Sequence, residues 1–360
     1  EKAATAGRSP PPEAERGSGQ AEAFARAEAA VGARPPAFLP EAGADGLPVA
    51  GVDKAALERV LADHFVPVDL DAPGLRVHCL DPPILTVDGF IPAETCEAAM
   101  QGAEASGRLA RSQVGAGTLG AAGNVDGSAN RTSSSMLVGD AEAAQEPGLE
   151  SLRNAVHAGA RQLLRSPREW GATGRLPAPG GLTFEMLQVA RYEGGQYFLS
   201  HEDGFPGDVA LRNQFQRAAT LLVYLNDVDA DQGGVTHFDM LGVSVQPRQG
   251  RALLFFPSFQ DGEADARTLH AAKDAHGLKW IAQQWVAQGI APPPAGLNLD
   301  ALGGRGAVPG LEALGGRGAA KPAEPAGASP AGFKKISSAP LKVSGALAGG
   351  AKRGAKKKAG

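Results

Sequence analysis

The sequence predicts an α+β fold, helices first and a β-sandwich or jelly roll after them, on three observations. Apolar residues recur at helical spacing in several stretches before residue 166. From Leu182 onward, short β-rich runs follow one another, separated by Gly, Pro, Asp and Asn turns. Between those runs there are no helical stretches of the kind a doubly wound parallel sheet requires.

Taken in order, "VDKAALERVLADHF" (52–65) carries apolar residues at helical spacing and predicts a helix. "GLRVHCL" and "PILTVDGFI" alternate as strands do. "PAETCEAAMQGAEAS" (92–106) opens with Pro and acids, as helix starts prefer. A Gly/Ser/Asn-rich loop is expected at 113–130, leading into "RTSSSMLV", and "PGLESLRNAVHAGARQLLR" (147–165) predicts a further helix. The β-rich runs are "LTFEMLQVARY", "RAATLLVYLNDV", "VSVQP", "RALLFF" and "KWIAQQWV".

The ends differ from this middle. Residues 1–48 are Ala, Gly, Pro and Glu with few large apolar side chains, and 291–360 are Gly, Ala and Lys, so both are expected to be disordered. "ALGGRGA" occurs at 301–307 and 313–319, too short and Gly-rich for a structural repeat. One folded domain is therefore expected over 49–290. Residues 301–360 hold eleven Lys and Arg against two acids, net +9, which leaves −13 for the rest of a chain whose total is −4. Such a basic tail suits contact with a polyanion, either nucleic acid, an anionic membrane surface or an acidic partner, or else it is simply solvated. It has no aromatic interleaving with which to read bases.

Two cysteines, Cys79 and Cys96, exclude a disulfide-dense scaffold and a thiolate metal site, and leave room for one bridge. No run of 18 apolar residues exists, so no membrane span is expected in this chain. It starts with Glu rather than Met, which is compatible with a signal peptide or anchor upstream.

The chemistry gathers around "LSHEDGF" (199–205). If 196–203 is a strand, His201 and Asp203 leave one face and Glu202 the other. A third ligand has to come from elsewhere, among His157, His237, His270 and His276. His270 is favoured, because it follows the apolar run "RALLFF" and a polar loop and precedes the final strand. Two imidazoles and one carboxylate on one side of a metal leave open positions opposite, which suits non-haem Fe(II), although zinc accepts the same donors. The plain alternative is a strand-end histidine satisfied by a neighbouring carboxylate. Lys279 opens the last alternating strand, with Ile281 on its face and Trp280 on the other. A buried ammonium there would need an anion, such as the far end of a dicarboxylate cosubstrate held at the metal. The alternative is an edge-strand gatekeeper lysine.

Together, "LQVARYEGGQYFLSHEDGF", "QRAATLLVYLNDVDADQGGVTHFD", "QPRQGRALLFFP" and "TLHAAKDAHGLKWIAQQWV" resemble the prolyl 4-hydroxylase-type Fe(II)/2-oxoglutarate dioxygenases. "FIPAETCEAAM" and "RTSSSMLV" are similar to that family's N-terminal helix and loop-to-strand motif, so the likeness covers about 85–290. The resemblance implies a double-stranded β-helix (jelly roll) with flanking N-terminal helices. It implies Fe(II) at His201, Asp203 and His270, and 2-oxoglutarate at Lys279, Tyr192 and Thr220. O2 would be the second cosubstrate and ascorbate the reductant. Trp285, Arg131 and Phe198 would contact the substrate, a peptide or protein containing proline. The resemblance also implies the endoplasmic reticulum or secretory pathway, against a cytoplasmic or nuclear alternative.

The family's "GGETxFP" is "GGVTHFD" here, with Val235 and Asp239 as departures, and Ala287 stands where peptide-proline enzymes often carry His or Arg. Phe198 replaces a tyrosine of some members. None of these touches the metal ligands, so they bear on the substrate. The expected function is peptidyl hydroxylation, most readily of proline. Its rivals are the same chemistry on a free amino acid or other small molecule, and a degenerate barrel that carries the basic tail to a polyanion.

Overall fold

The computed structural model describes residues 18–39, 41–112, 130–165, 183–213 and 215–289. Residues 1–17 of the N-terminal segment, nearly all of the expected loop at 113–130 and the basic tail with its expected polyanion contact lie outside them.

Before the folded domain expected from the sequence, α1 (Ser18–Ala33) is already formed, followed by the short strands β1 (Ala37–Phe38) and β2 (Leu47–Pro48). This corrects the boundary at residue 48. Composition argued for disorder because large apolar side chains are scarce, yet α1 buries Ala23 and Ala27 completely against Ala266 and Leu269. Alanine has the highest helix propensity, and its small side chain lets the helix backbone approach closely.

α2 (Lys54–His64) begins where the Asp53 carboxylate accepts a hydrogen bond from the Ala56 amide at 2.9 Å. β3 (Leu75–Asp81), β4 (Pro83–Val87), α3 (Ala93–Ala105), β5 (Ala110–Arg111), β6 (Ser134–Val138) and α4 (Asp140–Gln145) follow. In α5 (Pro147–Leu163), Leu149, Leu152, Val156, Ala160 and Leu163 recur every three or four residues and are buried. The strand-rich half comprises β7 (Thr183–Phe184), β8 (Leu187–Tyr192), β9 (Gln196–His201), β10 (Phe215–Tyr224), β11 (Thr236–Phe238), β12 (Val243–Val245), β13 (Ala252–Phe255), β14 (His270–Ala275) and β15 (Lys279–Gly289). A short helix, α6 (Gly207–Asn213), interrupts them.

The strands form two sheets. The larger runs β1-β3-β4-β13-β10-β15-β8-β6-β5, with β2 on β3 and β7 on β15, and the smaller runs β12-β11-β14-β9. Alternation divides the large sheet's side chains between two cores. Leu221, Val223, Trp280, Ala282 and Val286 pack outward against α2, α3 and α5. Tyr192, Leu222, Tyr224 and Ile281 point inward and meet Phe238, Val245 and Ala275 of the small sheet. Two antiparallel sheets closed over a shared interior, with α2, α3 and α5 on the outer face of the larger one, make the double-stranded β-helix that the motifs imply.

Cys79 and Cys96 are both free and buried, and burial pushes their thiols up to about 12 and about 11. Among the described residues no helix is long and apolar enough to cross a membrane.

Candidate metal centre

β9 and β14 pair so that His201 and His270 stand directly opposite one another, with ring centroids 4.3 Å apart. β9 ends at His201, two residues short of the expected strand, so Asp203 reaches the site from the turn beyond it. Asp203 Oδ1 lies 3.8 Å from His201 Nε2, and Oδ2 lies 4.0 Å from His270 Nε2. One donor atom from each of the three falls within 4.8 Å of the others, and all three residues are buried.

The backbone sets the ring orientation. His201 Nδ1 is 2.8 Å from the Leu199 carbonyl, and His270 Nδ1 is 3.0 Å from the Thr268 carbonyl. A carbonyl only accepts, so each Nδ1 donates a proton there and each Nε2 faces the cluster. Burial, helped by the charge of His270, pushes His201 down to about 3, which keeps its imidazole neutral at physiological pH. For Asp203, burial raises the pKa, but His270, His201, Arg217 and the Thr220 hydrogen bond outweigh it and keep the carboxylate ionised. Phe198 stacks on His201 at 3.6 Å between centroids, and Phe255 meets His270 edge-on at 4.7 Å.

Asp203 is held from behind. The Thr220 hydroxyl donates to Oδ2 at 2.8 Å, Gln283 Nε2 donates to the same oxygen at 3.2 Å, and Arg217 Nη1 donates to the Asp203 carbonyl at 3.3 Å. Oδ1 keeps its lone pairs for a cation. Thr220, expected at the cosubstrate, is therefore a partner of the carboxylate in this structure. Thr220→Val should weaken divalent-metal affinity by about 10-fold at nearly unchanged fold stability, as read by metal titration beside a thermal melt.

Lys279 is no edge-strand gatekeeper, because β15 lies between β10 and β8. The residue is 1% exposed, and its Nζ has no hydrogen-bond partner among the described residues. Its nearest aromatic neighbours are the rings of Tyr192 and Tyr224, with centroids 5.2 and 5.8 Å from Nζ. Burial alone pushes the amine down to about 7. A buried, unpaired amine on the inner face that also carries Gln283 is the fitting partner for an incoming carboxylate.

Trp285 pairs with Thr220 across β15 and β10, and the Arg217 guanidinium covers its ring at 3.7 Å, leaving 6% exposed. Arg217 is itself clamped by Glu185 at 2.7 and 2.8 Å. Arg131 lies over Phe198 at 4.8 Å and donates to Gln188 at 2.9 Å. The remaining histidine candidates lie outside the cluster. His157 bonds Gln284 from α5, and His237 bonds Ser244 on the small sheet. Sequence reasoning passed over Gln283 and Arg217. Gln283 had a signal, being four residues from Lys279 on an alternating strand and so on its face.

These features define a buried two-histidine, one-carboxylate centre inside a double-stranded β-helix. Residues 187–287 match the family model of the 2OG-Fe(II) oxygenase superfamily. Prolyl 4-hydroxylase 1 of Arabidopsis thaliana is 37% identical over 128 residues, 32% of this chain and 44% of that protein. Prolyl 4-hydroxylase subunit alpha-2 of Gallus gallus is 40% identical over 106 residues, 29% of this chain and 20% of that protein. The chain thus spans less than half the length of either curated relative. Among solved structures, a viral collagen prolyl hydroxylase from Paramecium bursaria Chlorella virus-1 in its 2OG complex aligns with a TM-score of 0.42 and 24% identity, over 57% of this chain and 96% of that one. The two-histidine, one-carboxylate donor set fits Fe(II) and the unpaired lysine fits a carboxylate such as that of 2-oxoglutarate, the two groups that the description of the matching family model carries.

Proposed function

We propose that the protein hydroxylates a peptidyl residue, proline first, as an Fe(II)- and 2-oxoglutarate-dependent dioxygenase with ascorbate as its supporting reductant. The observation that carries this reading is the unpaired Lys279 amine in the same buried interior as His201, Asp203 and His270. When bound, Fe(II) with 2-oxoglutarate and O2 supplies the oxidising power, the keto acid leaving as succinate and CO2.

The chain's own residues bind, orient and exclude water. His201, Asp203 and His270 would hold the metal through Nε2, Oδ1 and Nε2. Lys279 would pair its ammonium with the distal carboxylate, and Tyr192 lines that end. Phe198, Phe238 and Phe255 crowd the two imidazoles and keep bulk water from them. Arg131 and Trp285 are the large polar-tipped side chains beside the centre, and they would orient the substrate backbone. The basic tail would add a polyanion contact outside the catalytic domain.

The test is succinate release over a panel of proline-containing peptides, free proline and other free amino acids, with mass spectrometry of each. A gain of one oxygen on peptidyl proline supports the reading. Turnover of free amino acids alone would move the assignment to a small-molecule hydroxylase.

A further inference from the structure

We propose that α1 is a positioning element of the metal centre, one rigid bar that holds both ligand-bearing arms. The proposal rests on a metal binding at His201, Asp203 and His270.

The first arm is gripped on either side of His201. Gln20 Nε2, buried, donates to the Ser200 carbonyl at 2.7 Å. Two turns further along α1, Arg26 Nη2 donates to Glu202 Oε1 at 3.3 Å, and Glu202 is 2% exposed. The residues immediately before and after His201 are thus tied to one helix.

The second arm is gripped just before His270. Ala23 and Ala27 of the same helix pack on Ala266 and Leu269, joined by Phe24 and Met240. Past the helix end, the Arg34 carbonyl accepts from Arg267 Nη1 at 3.3 Å, and the Arg34 guanidinium donates to Asp81 at 2.9 Å. Asp81 in turn meets Arg267 Nη2 at 3.0 Å, and Arg267 forks onto Asp265 at 2.8 and 2.6 Å. These contacts hold the turn Ala266–Thr268, whose Thr268 carbonyl orients the His270 imidazole.

Each imidazole direction is therefore set by a carbonyl in a segment that α1 grips, Leu199 in one arm and Thr268 in the other. Productive ligand geometry tolerates displacements of only about 0.5 Å. The two-stranded pairing alone fixes the backbones of β9 and β14 but not the loops that carry Asp203 and Thr268. A helix bonded to one arm and packed on the other removes that freedom before metal arrives, and its small side chains allow the close approach.

The experiment uses the full chain and Co(II), a divalent probe with a visible ligand-field spectrum. Co(II) is titrated into wild type, Gln20→Leu/Arg26→Met, Gln20→Leu alone, Arg26→Lys, Val156→Ala in α5, and His270→Ala, each with a thermal melt. The double variant should lose about 10-fold in Co(II) affinity, the size usual for removing an outer partner. Its absorption band should change shape, Arg26→Lys should keep most of the affinity, and Val156→Ala should lower the melting temperature with both readouts intact. Should the double variant not fold, Gln20→Leu decides by the same spectrum. Unchanged affinity and spectrum in the α1 variants overturn the proposal, as does an equal loss in Val156→Ala. Equal Co(II) binding by wild type and His270→Ala would instead sink the metal site itself, and the proposal with it.

Discussion

Lys279→Met is expected to melt at a higher temperature than the wild-type chain while binding 2-oxoglutarate about 100-fold more weakly, a loss near 3 kcal/mol. The two effects have one cause. The amine is buried with no hydrogen-bond partner among the described residues, and burial brings it down to about 7 from 10.5. Protonated, it costs the fold a few kcal/mol, because its ammonium has left water without gaining an anion. Its contacts with Tyr192 and Tyr224 recover part of that cost. Methionine keeps the stem's volume and removes the charge, so stability rises and the anion site is lost.

The pH dependence follows with a defined sign. Between about 7 and 10.5 the unfolded chain holds a proton on this lysine that the folded chain lacks, so the residue's penalty falls as pH rises through that window. Binding runs the other way. A carboxylate needs the ammonium, so 2-oxoglutarate affinity should fall as pH rises above about 7, by up to 10-fold per pH unit, with proton uptake on binding. Calorimetry at pH 8 in buffers of different ionisation enthalpy reads that uptake. A wild-type chain that binds without it, or a methionine variant that melts lower, would show that the amine is already paired.

His270→Ala is expected to abolish the visible charge-transfer band of anaerobic Fe(II) with 2-oxoglutarate, and to weaken metal affinity by more than 100-fold. The loss exceeds that of an outer-partner change because a donor atom itself is removed, leaving one imidazole and one carboxylate. Added metal should raise the wild-type melting temperature by mass action and leave that of His270→Ala where it was. His237→Ala, on β11 of the small sheet and facing Ser244 at 2.8 Å and Asp239 at 3.9 Å, should behave as wild type. If His237→Ala lost the band and His270→Ala kept it, the ligand assignment would be reversed.

Much of the site was legible along the chain because strand alternation is a local rule. Ile281 and Trp280 fall on opposite faces as their positions require, and Lys279 turns inward with Ile281. His270 was favoured over three other histidines from its place between two strands, and it is the one beside His201. Alternation failed where the strand is irregular. Arg217 and Thr220 are three apart and should face opposite sides. A register shift between Arg217 and Ala219 places both on the inner face, one against Trp285 and one on Asp203. Asp203 reached the cluster for a different reason than expected, from a turn and not from strand pleating.

By itself the sequence determined the order of most helices and strands, the His201–Asp203 pair and the inward-facing lysine, because each depends on spacing within a few residues, and it singled out His270 by its place before the final strand. Only the tertiary structure decided that Thr220 and Gln283 share one oxygen of Asp203, that Arg217 covers Trp285, and that an alanine-rich helix read as disordered grips both arms of the centre. Those contacts join residues up to 233 positions apart. A polar side chain or a small alanine gains its worth there from what packs against it, and that is a property of the closed barrel rather than of any local stretch of chain.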